Sequence, residues 1–299
     1  MLDFIRRLLG TATGSAAKGA TTAPLPQSEI DSALQTAQVP YEMQQLVAAT
    51  GQSVGHQRDH NEDSLLAMTA TLAGKTSNVP FGLYIVADGM GGHQFGEVAS
   101  NAAIRVVAGQ IMRRFHSYLF AIPTQQPEES LQEIMADAIE LAHHAVQQEA
   151  PGSGTTVTAA LVLGEQITIG HVGDSRAYAI SATGRVEQLT HDHSLVRRLE
   201  ELGHLNKEEA ASYPHRNVLI RALGQGESLE ADVFTLPFPG HSTLMLCTDG
   251  LWGVLEERDF REALAGAPNL QQACRTLVQA ANAAGGPDNI SVVLVQMVG

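Results

Sequence analysis

Acidic side chains recur at the ends or beginnings of apolar runs in this 299-residue chain. Residues 83–87 form a short apolar run that delivers Asp88, and Gly89, Gly91 and Gly92 follow at once. A second run, residues 244–247, leads through Thr248 into Asp249-Gly250, and a third, residues 169–173, delivers Asp174. Asp288-Asn289 stands just before the apolar residues 290–295, and Glu62-Asp63 just before residues 64–67. A carboxylate at a strand end suits a hard cation that takes oxygen ligands. Glycines beside it let the backbone turn sharply and approach a ligand. Asp favours turns in any case, but unrelated turns have no reason to keep ending on carboxylates, so the pattern points to convergence on metal ions.

The elements that must position these acids are short strands and a few helices. Residues 45–50 read as an opening strand. Residues 98–118 and 128–150 carry apolar positions at helical spacing, in the second stretch Leu131, Ile134, Ala138, Leu141 and Ala145, with Pro123 and Pro127 between the two. His143 and His144 are adjacent on that helix and point in different directions, which predicts a solvated pair rather than a metal site. Residues 152–156 read as a turn, 157–162 as a strand, 167–172 as its hairpin partner and 176–180 as a further strand. Strands follow over 231–236, 242–248 and 290–297, with a final helix over 273–281. Leu251-Trp252 is expected to pack beneath the site. Short strands with frequent turns and two long helices predict antiparallel sheets with helices outside. Residues 190–226 break the strand pattern with a charged helix over 196–202 and a second start at Asn206, boxed by Glu209. His191-Asp192-His193 places two imidazoles on one side of an extended segment, but zinc would need further ligands, and a turn is expected there.

Six motifs stand in a telling order: Arg58-x-x-Asn61-Glu62-Asp63, Asp88-Gly89-Met90-Gly91-Gly92-His93, Gly154-Thr155-Thr156, Gly173-Asp174-Ser175-Arg176, Thr248-Asp249-Gly250 and Asp288-Asn289. Together they resemble the metal-dependent protein serine/threonine phosphatases of the 2C class, in their bacterial branch, over residues 45–299. The resemblance implies an α+β fold, an αββα sandwich of two antiparallel sheets flanked by helix pairs. It implies hydrolysis of phosphoserine or phosphothreonine on proteins, with two Mn²⁺ or Mg²⁺ ions and room for a third. Asp88 would bridge the ions. Glu62 or Asp63 and the Gly89 carbonyl would complete one, Asp249 and Asp288 the other, and Asp174 would hold the third. An oxygen-rich set without a Cys/His cage suits these metals better than zinc. Arg58 would take the substrate phosphate, as its planar fork allows. Arg58, Asp88 and Asp249 are thus the expected catalytic residues. Residues 190–226 become the variable flap beside the site. One departure matters: some members carry His directly after the first Asp-Gly as leaving-group acid, and here Met90 stands there, which leaves His93 and His193 as candidates.

Composition bounds the rest. Lys and Arg number 18 against 32 Asp and Glu, a formal charge of −14, which argues against a nucleic-acid partner. Cys247 and Cys274 form no disulfide framework and fit a reducing cytoplasm. No apolar run reaches membrane-spanning length. Residues 1–10 are apolar with two arginines that interrupt a signal-peptide pattern, and residues 11–27 have linker composition. The expected organisation is a flexible extension over 1–40 and one phosphatase domain over 41–299, monomeric and cytoplasmic. Its partners are a phosphorylated protein and, behind it, a serine/threonine kinase. The competing reading is a catalytically inactive phosphoprotein-binding module. Such a module would have lost metal acids, and all are present.

Overall fold

Why the strands read as unbroken apolar runs becomes clear from the layers. The structure, a computed structural model, describes residues 44–299 apart from 74–77, 92–94, 122–127, 207–208, 211–212, 216 and 241. The expected extension over residues 1–40 and His93 lie outside the described residues. One sheet orders β1 (Gln45–Ser53), β11 (Ile290–Val298), β10 (Ser242–Cys247), β7 (Arg176–Ser181) and β8 (Val186–Gln188). The other orders β2 (Asp63–Ala73), β3 (Asn78–Met90), β5 (Val157–Leu163), β6 (Gln166–Val172) and β9 (Asp232–Pro237), with the two-residue β4 (Gly154–Thr155) paired to the end of β3. Every pairing is antiparallel. Helices α1 (Gly96–Phe120) and α2 (Leu131–Glu149) cover the second sheet; α5 (Glu257–Gly266) and α6 (Leu270–Ala283) cover the first. This is the αββα sandwich.

Side chains alternate across a strand, so each central strand feeds two cores. On β3, Phe81, Leu83 and Ile85 pack under α1 and α2, while Tyr84 and Val86 face the other sheet. On β11, Ile290, Val292 and Leu294 meet α5 and α6, while Val293 and Val295 enter the inter-sheet core. With both faces buried, no polar alternation survives in the sequence. Local signals set the helix ends. Ser130 and Glu133 form a reciprocal capping box at α2. Asn269 caps α6 and Ser194 caps the short α3 (Leu195–Glu201). Asn206 and Glu209 exchange the expected bonds at 2.8 and 2.9 Å.

Three expectations change. The buried stripe of α2 is Ile134, Met135, Ala138, Ile139, Ala142 and Val146, while Leu141 is exposed. His143 is buried on that stripe rather than solvated, its Nδ1 accepting from the Gly224 amide at 3.1 Å. Residues 154–155 are a strand, not only a turn. Helix α5 and strand β8 went unread. In α5 the cue was present as Phe260, Ala263 and Leu264 at helical spacing within a charged run. No described helix is long and apolar enough to cross a membrane.

Phe115 on α1 is fully buried against Phe81, with ring centroids 5.7 Å apart. Phe115→Ala should lower unfolding free energy by ~3–5 kcal/mol, read as a lower urea midpoint at unchanged slope. A loss under ~1 kcal/mol would mean the α1–sheet seam can collapse around the cavity.

Candidate active site

The site begins with a conflict written into the strand register. Asp63, the first residue of β2, lies directly opposite Asp88 on β3. Like charges in that position destabilise a sheet. The backbone nevertheless holds both in place. Asp88 N–H donates to Thr156 Oγ1 at 2.9 Å, and the Asp88 carbonyl accepts from Thr156 N–H and Thr155 Oγ1, each at 2.9 Å. Gly89 pairs with Thr155 of β4, and its N–H donates to the Glu62 carbonyl at 3.2 Å. A Cβ on Gly89 would sit 2.6 Å from that carbonyl oxygen, so a side chain here would force the two acidic segments apart.

The first sheet supplies the remaining acids. Asp249 opens the one-turn helix α4 (Asp249–Trp252) directly after β10. Thr248, before it, and Ser291, at the start of β11, both donate to Asp63 Oδ2, at 2.8 and 2.7 Å. Asp288 accepts from Arg58 at 2.6 Å. Asn289 ties the segments together: its Oδ1 accepts from Glu62 N–H at 2.7 Å, and its Nδ2 donates to the carbonyls of Val54 and His60. The sequence motifs include Asn289, Thr156 and Thr248 without a role for any of them, and Ser291 was overlooked. The available signal was a hydroxyl or amide residue beside each strand-end acid.

The electrostatics leave the acids short of positive charge. Burial, opposed by the hydroxyls of Ser291 and Thr248 and seconded by Asp249 and Asp288, lifts the Asp63 carboxyl to about 7. Burial and then the Asp288 charge lift Asp249 to about 6. Asp88 rises well above the ordinary carboxylate range through burial and through Asp63, Asp249, Asp174 and Asp288. Asp174 rises through burial and the neighbouring Asp249. Asp63 Oδ1 and Asp249 Oδ1 are buried with no hydrogen-bond partner. Buried acceptors are rarely left so. Orphaned carboxylate oxygens in an all-oxygen donor set fit hard divalent cations.

Not every expected residue joins this cluster. The Glu62 carboxylate lies against Gly96 and 3.6 Å from His60 Nε2, and it groups with His60 and Glu97 rather than with the aspartates. Arg58 is 47% exposed at the mouth. Trp252 donates its indole N–H to the Asp174 carbonyl at 3.0 Å, and the Arg176 guanidinium stacks 3.4 Å from the centre of its ring. Arg176 is in turn held by Asp192 through Nε and Nη2, at 2.9 and 2.6 Å. So the His191-Asp192-His193 segment is more than a turn. His193 is buried, its Nδ1 accepting from Gly173 N–H at 3.2 Å and its Nε2 3.2 Å from Asp232. Both ring nitrogens are thus engaged, by Gly173 and Asp232. A cavity of about 890 Å³ runs from Asp174, Asp249 and Asp288 outward between Trp252 and α3.

Raised carboxyl pKa values set the sign of a stability test. A carboxyl titrating near 7 when folded and near ~4 when unfolded binds protons preferentially in the folded state. Between those values stability therefore falls as pH rises. His171, pushed down to about 4 by burial, works in the opposite sense below its ordinary value, so the comparison must be with a variant. In EDTA, raising pH from about 5 to about 8 should lower the melting temperature of the unmodified chain relative to Asp63→Asn. Saturating Mn²⁺ should remove the gap. Parallel melting curves in EDTA would contradict the repulsion.

The family model for protein phosphatase 2C matches residues 50–294. The chain is 36% identical over 243 residues to the serine/threonine phosphatase stp of Listeria monocytogenes, covering 81% of this chain and 92% of that protein. It is 33% identical over 250 residues to the protein phosphatase PhpP of Streptococcus pneumoniae, covering 82% and 94%. Among solved structures it is similar to the catalytic domain of the serine/threonine protein phosphatase PstP in complex with two manganese ions, with a TM-score of 0.68, 30% identity, and coverage of 86% of this chain and all of that one. Strand-end acids, antiparallel sandwich and relatives agree: the chain belongs to the protein phosphatase 2C family, in its bacterial serine/threonine branch.

Proposed function

We propose a division of labour among this chain's residues for the reaction of its family. The enzyme is a metal-dependent protein phosphatase that hydrolyses phosphoserine and phosphothreonine, with two Mn²⁺ or Mg²⁺ ions as cofactor. When bound, the ions supply a water nucleophile at neutral pH and offset phosphate charge. Asp88 would be shared by the two ions, Asp63 and the Gly89 carbonyl would serve one, and Asp249 and Asp288 would serve the other. Glu62 stands further out, toward His60, and Asp174 would hold a third, weaker ion. The observation that carries this assignment is the pair of orphaned buried oxygens, Asp63 Oδ1 and Asp249 Oδ1.

The side chains around the acids orient rather than react. Arg58, anchored at the mouth by Asp288, offers its remaining N–H groups to the phosphate and fixes it for attack. Thr156 fixes the Asp88 backbone from both sides. The cavity between Trp252 and α3 receives the polypeptide around the phosphorylated residue. The substrate is a protein phosphorylated by a serine/threonine kinase, which this enzyme opposes. The full set of acids favours this over the inactive binding module. His93 is the remaining candidate for the leaving-group acid.

Asp249→Asn should lower the rate at least ~100-fold on both a phosphopeptide and p-nitrophenyl phosphate while leaving the fold intact, because an amide supplies neither the charge nor the oxygen the ions need. A Mn²⁺ titration belongs in the assay, since weakened binding would appear as a higher requirement. A rate within threefold of the unmodified enzyme at all Mn²⁺ levels would remove Asp249 from the site. Deleting residues 1–40 should leave the rate on p-nitrophenyl phosphate within about twofold, since linker composition contributes little to a core. Loss of folding on truncation would place that segment in the domain instead.

A further inference from the structure

His193 lies outside every motif that carries the metal acids, yet it holds the loop that presents one of them. Gly173 has φ +108°, a conformation open to glycine and strained for other residues. Gly173 itself has no side chain to hold the start of the loop, whereas Ser175 at its end is bonded through Oγ to Thr156 Oγ1 at 2.7 Å. Both of its backbone polar groups go to one residue: Gly173 N–H donates to His193 Nδ1 at 3.2 Å, and its carbonyl accepts from His193 N–H at 2.7 Å. The ring is buried, stacks on His171 with centroids 4.9 Å apart, and points Nε2 at Asp232 3.2 Å away. Nδ1 accepts, so the single proton of the neutral imidazole sits on Nε2 and faces Asp232. Asp232 also pairs with Arg221, whose Nη1 lies 3.4 Å from the same nitrogen. Burial holds His193 below its ordinary pKa, which keeps Nδ1 bare. Asp174 follows Gly173 directly, and its carbonyl is held from the other side by Trp252.

We infer that His193 is a positioning residue for Asp174: its Nδ1 holds the Gly173 amide, and this hold sets where the Asp174 carboxylate points. The inference rests on the reading of Asp174 as ligand to a third ion. It predicts that the acceptor atom matters and the ring's bulk does not, much as partners behind a metal ligand commonly change affinity 10–100-fold.

The chain's one tryptophan is Trp252, bonded to Asp174, so its emission reports on this loop. Mn²⁺ titrations of that emission on the full chain should resolve a phase that Asp174→Asn removes. His193→Phe keeps ring volume and loses the acceptor; it should raise the Mn²⁺ concentration at half-change of that phase by about 10-fold or more and speed hydrogen exchange at the Gly173 amide. His193→Asn keeps an acceptor near the Nδ1 position and should stay within about twofold on both readouts. If His193→Phe does not fold, His193→Ala against His193→Asn makes the same comparison. Unchanged Mn²⁺ binding and amide exchange in His193→Phe would overturn the inference, as would equal losses in the Phe and Asn variants, which would mean ring packing. If Asp174→Asn leaves the whole titration unchanged, the ligand reading fails instead, and Gly173 exchange alone then judges His193.

Discussion

Repulsion between carboxylates is the constraint on which this structure turns. Asp63 and Asp88 face each other across a β-ladder, and Asp249, Asp174 and Asp288 act on the same volume. Without cations these charges would separate, and the strands carrying them would shift. Neutral groups hold them instead: Thr248 and Ser291 donate to one oxygen of Asp63, and Thr156 accepts from the Asp88 N–H and donates to its carbonyl. On Asp63 the two hydroxyls satisfy Oδ2 and leave Oδ1 bare. That division is what a metal site requires, since a fully satisfied carboxylate would have nothing to offer an ion and an unsupported one would not stay aimed.

The sandwich follows from the same need. Asp63 and Asp88 belong to one sheet, while Asp249 follows a strand of the other and Asp288 precedes one. The acids therefore gather where the ends of two sheets meet, and site geometry depends on the packing between them. Tyr84 and Val86 of β3 share the inter-sheet core with Leu244, Leu246, Val293 and Val295. Those residues lie a few positions from Asp88, Asp249 and Asp288 in the chain. A dense interior transmits small displacements, so the apolar runs that read merely as strands also set the distance between ligands.

What was legible in the sequence follows the range of the interactions. Strand-end acids, capping pairs and apolar runs are local, and Asp88, Asp249, Asn206 with Glu209, and β11 were visible directly. The two-sheet topology came from resemblance alone, because β1 pairs with β11 across the length of the domain and no local pattern encodes such a partner. The stripe of α2 was read only in part: Ile134 and Ala138 are buried as expected, but the face continues through Met135, Ile139, Ala142 and the polar-looking His143 rather than through Leu141. The bonding roles of Thr156, Thr248 and Ser291 were not legible for a different reason. Hydroxyl residues are common beside strands, and only the fold shows which of them reaches a carboxylate.

The insert beside the site shows how one region can vary while the acids stay fixed. It leaves the domain at Ser194 and returns at Leu219, and these two form an isolated bridge. The Ile220 amide donates to the His193 carbonyl at 2.8 Å. Leu223 then exchanges two backbone bonds with Thr155, the residue whose hydroxyl holds the Asp88 carbonyl. Behind that second bridge the buried His143 accepts from the Gly224 amide. The insert is thus closed at its neck by bonds that do not involve its side chains. Substitutions between residues 195 and 218 can reshape the wall facing the substrate without being felt at the aspartates, whereas a change at the neck reaches Asp88 through Thr155. Under the proposed function, these two backbone bridges would separate selectivity from catalysis, as loops on a rigid scaffold come to carry specificity.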